Sequence, residues 1–318
     1  MKLIVSSSPH LHSSESIEKI MWTVSISLIP SGLMGILLFG VKAFWIIFFS
    51  VLTAVITEAF CNIITKKRLT IYDGSAFLTG LLLAYNLPPT VPFWMPIVGS
   101  FFSIVIGKQV FGGLGQNIFN PALVGRVFLM ASWPKYMTNF ITPVNKFYPF
   151  RLVKCDSITS ATILSLLKEK KNFSVSYLDL FLGNRGGCIG EVAVFLLLLG
   201  ALYLLIKKYI LLYIPLSYII TVAILSYIFG PNGLFTGNLL LSILSGGLIL
   251  GAFFMATDYV TSPLTKKGQL IFGIGCGIIT SVIRIWGGYP EGVSYAILIM
   301  NAVVPLIDRY TKQRIFGR

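Results

Sequence analysis

Charge is what this sequence has least of. Only 11% of its 318 residues are Asp, Glu, Lys or Arg, against about 25% in an ordinary soluble domain, and 55% are hydrophobic. That balance excludes a water-soluble globular chain and describes one that enters a membrane repeatedly. Acids are the scarcer sign, 11 against 25 Lys and Arg, giving a net charge of +14. In a soluble chain such an excess would suit nucleic acid. Here the basic residues collect at the ends of apolar runs, with no zinc-finger spacing and no aromatic–basic platform. No nucleic-acid partner is expected, and anionic headgroups are. Histidine is nearly absent: His10 and His12 are too few for a metal site. The four cysteines, Cys61, Cys155, Cys188 and Cys276, show no CxxC spacing, which argues against a zinc or iron–sulfur site built from this chain alone. Cys61 and Cys276 sit in apolar runs and read as packing residues. Cys155 and Cys188 bracket the long polar loop, which leaves a disulfide between them open. There is no Ser-His-Asp or Cys-His constellation, no P-loop and no dinucleotide fingerprint.

What is there is a succession of apolar runs. About ten are long enough to count as membrane segments, near 20–40, 43–64, 74–88, 93–108, 119–132, 190–206, 209–229, 238–257, 268–286 and 292–308, the third and fifth being short. The first run lacks a small-residue cleavage pattern, so it reads as a retained helix. The fold class is an all-α polytopic membrane protein in three parts: a first transmembrane half (1–132), a polar loop (133–189) and a second transmembrane half (190–318). Placing the N-terminus in the cytoplasm puts Lys66-Lys67-Arg68, Lys207-Lys208, Lys266-Lys267 and the basic tail inside. The opposite turns at 88–92, 230–237 and 287–291 carry no Lys or Arg. Both termini are then cytoplasmic and loop 133–189 is extracytoplasmic, despite its eight Lys and Arg, because the positive-inside bias counts less in long loops.

A weak repeat relates the halves. Gly107-Lys108-Gln109-Val110-Phe111-Gly112-Gly113, followed by Asn120-Pro121-Ala122, parallels Ile283-Arg284-Ile285-Trp286-Gly287-Gly288, followed by Asn301-Ala302. Five spans per half, an odd number, make the halves inverted repeats. Broken helices in such repeats bring backbone groups to a ligand near the midplane.

Among the acids, Glu58 stands apart because it interrupts an apolar run, where a charge costs about 2.5–3.5 kcal/mol on insertion scales unless paired or hydrated. Asp73, Glu191, Asp258, Glu291 and Asp308 lie at predicted span ends, where hydration or a helix dipole accounts for an acid without any function. Glu58, Asp73 and Asp258, flanked by Gly and Thr, are the candidates for an ion pathway. In the polar loop, Asp156-Ser157-Ile158-Thr159-Ser160-Ala161-Thr162 reads by residue type as a helix start. Thr159 or Ser160 would cap a helix over 161–171, with Ile163, Leu166 and Leu167 on one face.

The same heptad resembles the flavin-attachment motif, Asp-x-x-(Ser/Thr)-Gly-Ala-Thr, of the NqrB/RnfD family. That family comprises the RnfD subunit of Rnf electron-transport complexes and the NqrB subunit of the sodium-translocating NADH:quinone reductase. Ser160 stands where the family has Gly. The resemblance extends along the chain: Val5-Ser6-Ser7-Ser8-Pro9-His10, Asp73-Gly74-Ser75-Ala76, Leu87-Pro88-Pro89, Lys108 to Ala122, Gly190-Glu191, Met255 to Pro263 and Tyr289-Pro290-Glu291-Gly292-Val293. The chain lacks the N-terminal extension of the quinone-reductase subunit, which favours the Rnf branch. The resemblance implies FMN esterified to Thr162, with Asp156, Thr159, Ser160 and Ala161 completing the attachment site, and leaves a second, non-covalent flavin between the repeats open. It further implies a bacterial cytoplasmic-membrane subunit, matured by a flavin transferase and assembled with other Rnf subunits. Ferredoxin and NAD would act through those subunits, and electron passage would be coupled to Na+ or H+ movement. The competing expectations are a cofactor-free inverted-repeat solute channel or transporter, a non-catalytic scaffold subunit, and the quinone-reductase subunit.

Overall fold

The structure is a computed structural model that describes residues 15–143, 145–148, 151–154, 176–230, 233–288 and 291–312. Helix α1 spans Ile17–Phe39 and is capped by Ser16, whose side chain accepts from the Lys19 amide at 3.1 Å. Gly40, at φ +81°, ends α1 and turns the chain directly into α2, Val41–Ile64, through a conformation that an L side chain would strain. Helix α3 covers Ser75–Tyr85. Helix α4, Trp94–Ile104, is prolonged by a π-helical turn at Val105–Gln109. Helix α5, Pro121–Ser132, starts where Asn120 Oδ1 accepts from the Ala122 and Leu123 amides at 3.1 and 3.4 Å, with Pro121 preset for the first turn.

Helix α6, Pro134–Met137, an antiparallel ribbon of β1, Asn145–Tyr148, and β2, Arg151–Lys154, and α7, Tyr177–Leu182, belong to the connecting loop. The second half holds α8, Val194–Ile206, and α9, Tyr213–Ile228. A short ribbon, β3 (Phe229–Gly230) with β4 (Gly233–Leu234), follows. Then come α10, Leu239–Leu244, α11, Leu248–Leu250 with a π-helical continuation at Gly251–Met255, α12, Lys266–Trp286, and α13, Val293–Tyr310.

Helices α1, α2, α12 and α13 are long and apolar enough to cross a membrane by length and composition, and α3, α5, α8 and α9 are shorter apolar helices. The chain is therefore a mostly helical, polytopic membrane protein. Its surface fits that reading: Leu33, Phe44, Phe48, Ile56, Ile220 and Ile271 are exposed, whereas Ser31, Ser50, Ser100 and Thr280 are buried. Small and hydroxylated residues let these helices meet. Ser50 Oγ donates to Gly80 O at 2.7 Å and lies 2.9 Å from Ser100 Oγ, joining α2, α3 and α4. Tyr218 and Thr280 hydroxyls, 2.6 Å apart, join α9 and α12.

The largest hydrophobic cluster runs from Leu81–Tyr85 through Leu197, Tyr218 and Leu248–Ala256 to Phe272 and Ile297, so both halves share one core. A non-helical segment lies between them. Ile189 and Gly190 amides donate to Leu87 O and Tyr85 O at 3.0 and 3.1 Å, and Ser31 Oγ donates to Gly190 O at 2.7 Å. The segment before α8 is thus wedged between α1 and the end of α3. Gly190 is required there, because a Cβ would lie 2.1 Å from the Tyr85 ring. This non-helical backbone is buried in protein, the condition under which irregular backbone is tolerated in a membrane protein.

Candidate functional site

Glu58, on α2, is 1% exposed and does not stand alone. Lys108, carried into the interior on the π-helical turn after α4, donates from Nζ to both Glu58 oxygens at 2.7 and 2.8 Å and to Ser75 Oγ at 2.6 Å. Thr70 Oγ1 donates to Glu58 Oε1 at 2.9 Å, and Asn62 in turn donates to Thr70 at 3.0 Å. The Ser75 amide and hydroxyl donate to Asp73 Oδ1 at 2.8 and 2.5 Å. One network therefore joins Glu58 and Asp73 through Lys108 and Ser75. Both charges of the pair are hydrogen-bonded as well as matched, the condition under which a buried ion pair is tolerated.

Lys108 and Ser75 also line a cavity that opens to the surface. Its walls are mostly apolar, with Met21, Leu78, Leu82 and Phe253, and polar groups enter from Asn117, Thr257 and Asp258. Half-buried Asp258 accepts from Thr261 Oγ1 at 3.1 Å. Asn120 and Asn301 meet beside this cavity. With the Asn301 amide oriented to suit its neighbours, its oxygen accepts from the Asn120 amide at 3.1 Å and its nitrogen donates to Thr261 O at 3.1 Å. Asn120 Nδ2 donates to Met255 O at 3.2 Å.

A second charged network lies farther along α5. Arg126, 4% exposed, donates from Nη1 to Asn86 Oδ1 and from Nη2 to Glu291 Oε2. Cys188, Glu191, Arg185 and Arg284 are buried around it. Cys188 carries a free thiol among the described residues, and Cys155, with which the loop spacing left a disulfide open, lies outside them. Its amide donates to Glu191 Oε1 at 3.1 Å. Arg284 donates to Ser242 O at 2.9 Å and Ser245 O at 3.2 Å, at the end of α10. This network is missed by sequence reading. Glu191 and Glu291 look like hydrated interface acids, yet they are 2% and 9% exposed. The signal that could have found them is Arg126, a basic residue inside an apolar run, which needs an acid somewhere.

Of the sequence-derived candidates, Asp258 lines the cavity, whereas Glu58 and Asp73 are joined to it through Lys108 and Ser75. Asp156, Thr159, Ser160, Ala161 and Thr162, the helix expected over 161–171, and Cys155 lie outside the described residues, as do His10 and His12.

The NQR2, RnfD, RnfE family model matches residues 4–317. The chain belongs to that family. Over 323 residues it is 49% identical to the D-type subunit of the proton-translocating ferredoxin:NAD(+) oxidoreductase complex of Clostridium ljungdahlii, covering 98% of this chain and 96% of that protein. It is 48% identical over 320 residues to the D-type subunit of the Na(+)-translocating ferredoxin:NAD(+) oxidoreductase complex of Acetobacterium woodii, covering 100% and 96%. To the D-type subunit of the ion-translocating oxidoreductase complex of Stutzerimonas stutzeri it is 40% identical over 328 residues, covering 95% and 93%. Glu58 reaches the cavity through Lys108, and residues of both halves line it.

Proposed function

We propose that this chain is the flavin-carrying, RnfD-type membrane subunit of an Rnf-type ferredoxin:NAD oxidoreductase, working in the bacterial cytoplasmic membrane with other Rnf subunits. The observation that carries this reading is near-half identity, over almost the whole of both chains, to subunits of complexes so named. Ferredoxin and NAD act on the partner subunits. FMN, attached by a flavin transferase through a phosphoester to Thr162, supplies one-electron and two-electron chemistry when bound, and coupled transport moves Na+ or H+. Asp156, Thr159, Ser160 and Ala161 complete the attachment motif on an extracytoplasmic loop.

The chain is organised as ten membrane segments in two inverted halves, with both termini cytoplasmic. The meeting of Asn120 and Asn301, which occupy corresponding places in the repeat, supports that arrangement. The cavity suits a second, non-covalent flavin: apolar walls from Leu78, Leu82 and Phe253 would lie against a flat ring, and Asn117 and Thr257 offer hydrogen-bonding groups. Lys108, held by Glu58, contributes a fixed positive charge at the cavity wall. Glu58, Asp73 and Asp258 are the ion-pathway residues on this reading.

Membrane vesicles from cells lacking this chain, compared with vesicles in which it is restored, provide the test. Ferredoxin-dependent NAD+ reduction accompanied by ion uptake is expected only in the restored vesicles. Equal activity in both would contradict the proposal.

A further inference from the structure

The proposed flavin chemistry makes no use of the charged network around Arg126, although it is as deeply buried as the Glu58 pair. Its focus is Glu191. Two glycines seat that carboxylate: a Cβ on Gly187 would lie 3.2 Å from Oε1, and one on Gly247 would lie 2.7 Å from Oε2. Oε1 accepts the Cys188 amide, whereas Oε2 has no partner among the described residues. Charged or titratable groups face this carboxylate or its neighbours from several elements. The wedged segment brings Arg185 and the Cys188 thiol, α5 brings Arg126, α12 brings Arg284, and the approach to α13 brings Glu291. Arg126 is committed to Asn86 and Glu291, and Arg284 to the carbonyls that end α10. Arg185 is different. It is 8% exposed, and its Nε and Nη2 have no partner among the described residues. Arg185 and Glu191 thus interact electrostatically without forming a direct ion pair.

We infer that Glu191 Oε2 is a proton-binding site, loaded and emptied under the control of Arg185. A buried carboxylate with one oxygen lacking a donor gains by taking up a proton, and a neighbouring guanidinium opposes that gain. The balance makes the proton exchangeable. A larger cation does not fit the chemistry. Cys188 Sγ and the Glu191 and Glu291 carboxylates do converge within 4.8 Å, but Arg126 Nη2 bonds Glu291 and stands 4.0 Å from the thiol. Hard cations require a shell of oxygens. Here guanidinium and amide donors fill that shell, and a proton is the cation that needs only one oxygen.

The site is linked to the cavity. Arg126 lies six residues along α5 from Asn120, roughly 9 Å at the helical rise, and Asn86 connects Arg126 to Leu82 O at 2.7 Å on the cavity wall. A charge change in the cavity is therefore felt at Glu191 through a low-dielectric interior. A role in coupling rests on the proposed Rnf function; proton binding does not.

Infrared difference spectra between acid and alkaline pH, recorded on the full-length protein purified with whatever subunits accompany it, test the inference. The wild type is expected to show a protonated-carboxyl C=O band that vanishes in Glu191→Gln, moves in Glu191→Asp and survives in Glu58→Gln. In Arg185→Gln its midpoint should rise by about one pH unit or more, a roughly tenfold tighter hold on the proton. A band unchanged in Glu191→Gln, or a midpoint unmoved in Arg185→Gln, overturns the inference. If Glu191→Gln does not assemble, Glu191→Asp decides, because an unmoved band there overturns it equally. A normal band in a protein without ferredoxin-linked activity would count against the Rnf proposal and leave the proton site standing.

Discussion

At the scale of single residues, this protein is organised by a few charges held where water is excluded. Glu58 was legible as an anomaly because an acid inside an apolar run must be paired or hydrated. Its partner was not legible. Lys108 lies fifty residues away, in a stretch whose Lys-Gln sequence looks like a span end, and only the π-helical turn carries its amine inward. Lys108→Ala removes one charge and leaves the other buried, a change that costs about 3–5 kcal/mol. The double variant Glu58→Gln with Lys108→Met removes both and is expected to recover most of that loss. Unfolding in detergent, followed by circular dichroism, measures both. Equal stability of Lys108→Ala and wild type would mean that the pair is not formed.

At the scale of elements, short and interrupted helices set the interior. The run at 238–257 gave no sequence sign of its interruption beyond Gly246-Gly247, a pair that also suits ordinary helix packing. In the structure α10 ends at Leu244 and helix resumes at Leu248, leaving Ser245 O to Arg284. The segment expected to begin a span at 190 instead stays non-helical to Ala193; its Gly190 amide is taken by Tyr85 O and that of the preceding Ile189 by Leu87 O. Such exchange between distant backbones leaves no periodic trace. Close packing does: Gly80 sits in Thr79-Gly80-Leu81, and a Cβ there would lie 2.7 Å from Val51 Cα and 2.9 Å from Ser50 O. Gly80→Ala is therefore expected to push α3 from α2 and destabilise the protein by about 1–3 kcal/mol, as overpacking does. Gly288→Ala serves as the comparison, since a Cβ there would meet nothing within 4 Å and its φ is not positive. Thermal denaturation of the two variants separates a packing clash from a general glycine effect. No loss in Gly80→Ala would contradict the close α2–α3 contact.

At the scale of the whole molecule, composition alone established membrane insertion, and long strings such as Lys108 to Ala122 carried the family resemblance before any fold was known. The positions of the apolar runs anticipated where helices lie, because hydrophobic length is read directly from sequence. The charged interior was much less legible. Glu191, Glu291, Arg126, Arg185 and Arg284 come from different elements, and each alone resembles an interface residue. On the proposed function the chain carries flavin on its polar loop, a property that in-gel fluorescence reads out. Wild type and Thr162→Ala are each produced with a flavin transferase and separated on a denaturing gel. A fluorescent wild-type band and a dark Thr162→Ala band are the expected result; two dark bands, or two equally fluorescent ones, would contradict covalent flavin at Thr162.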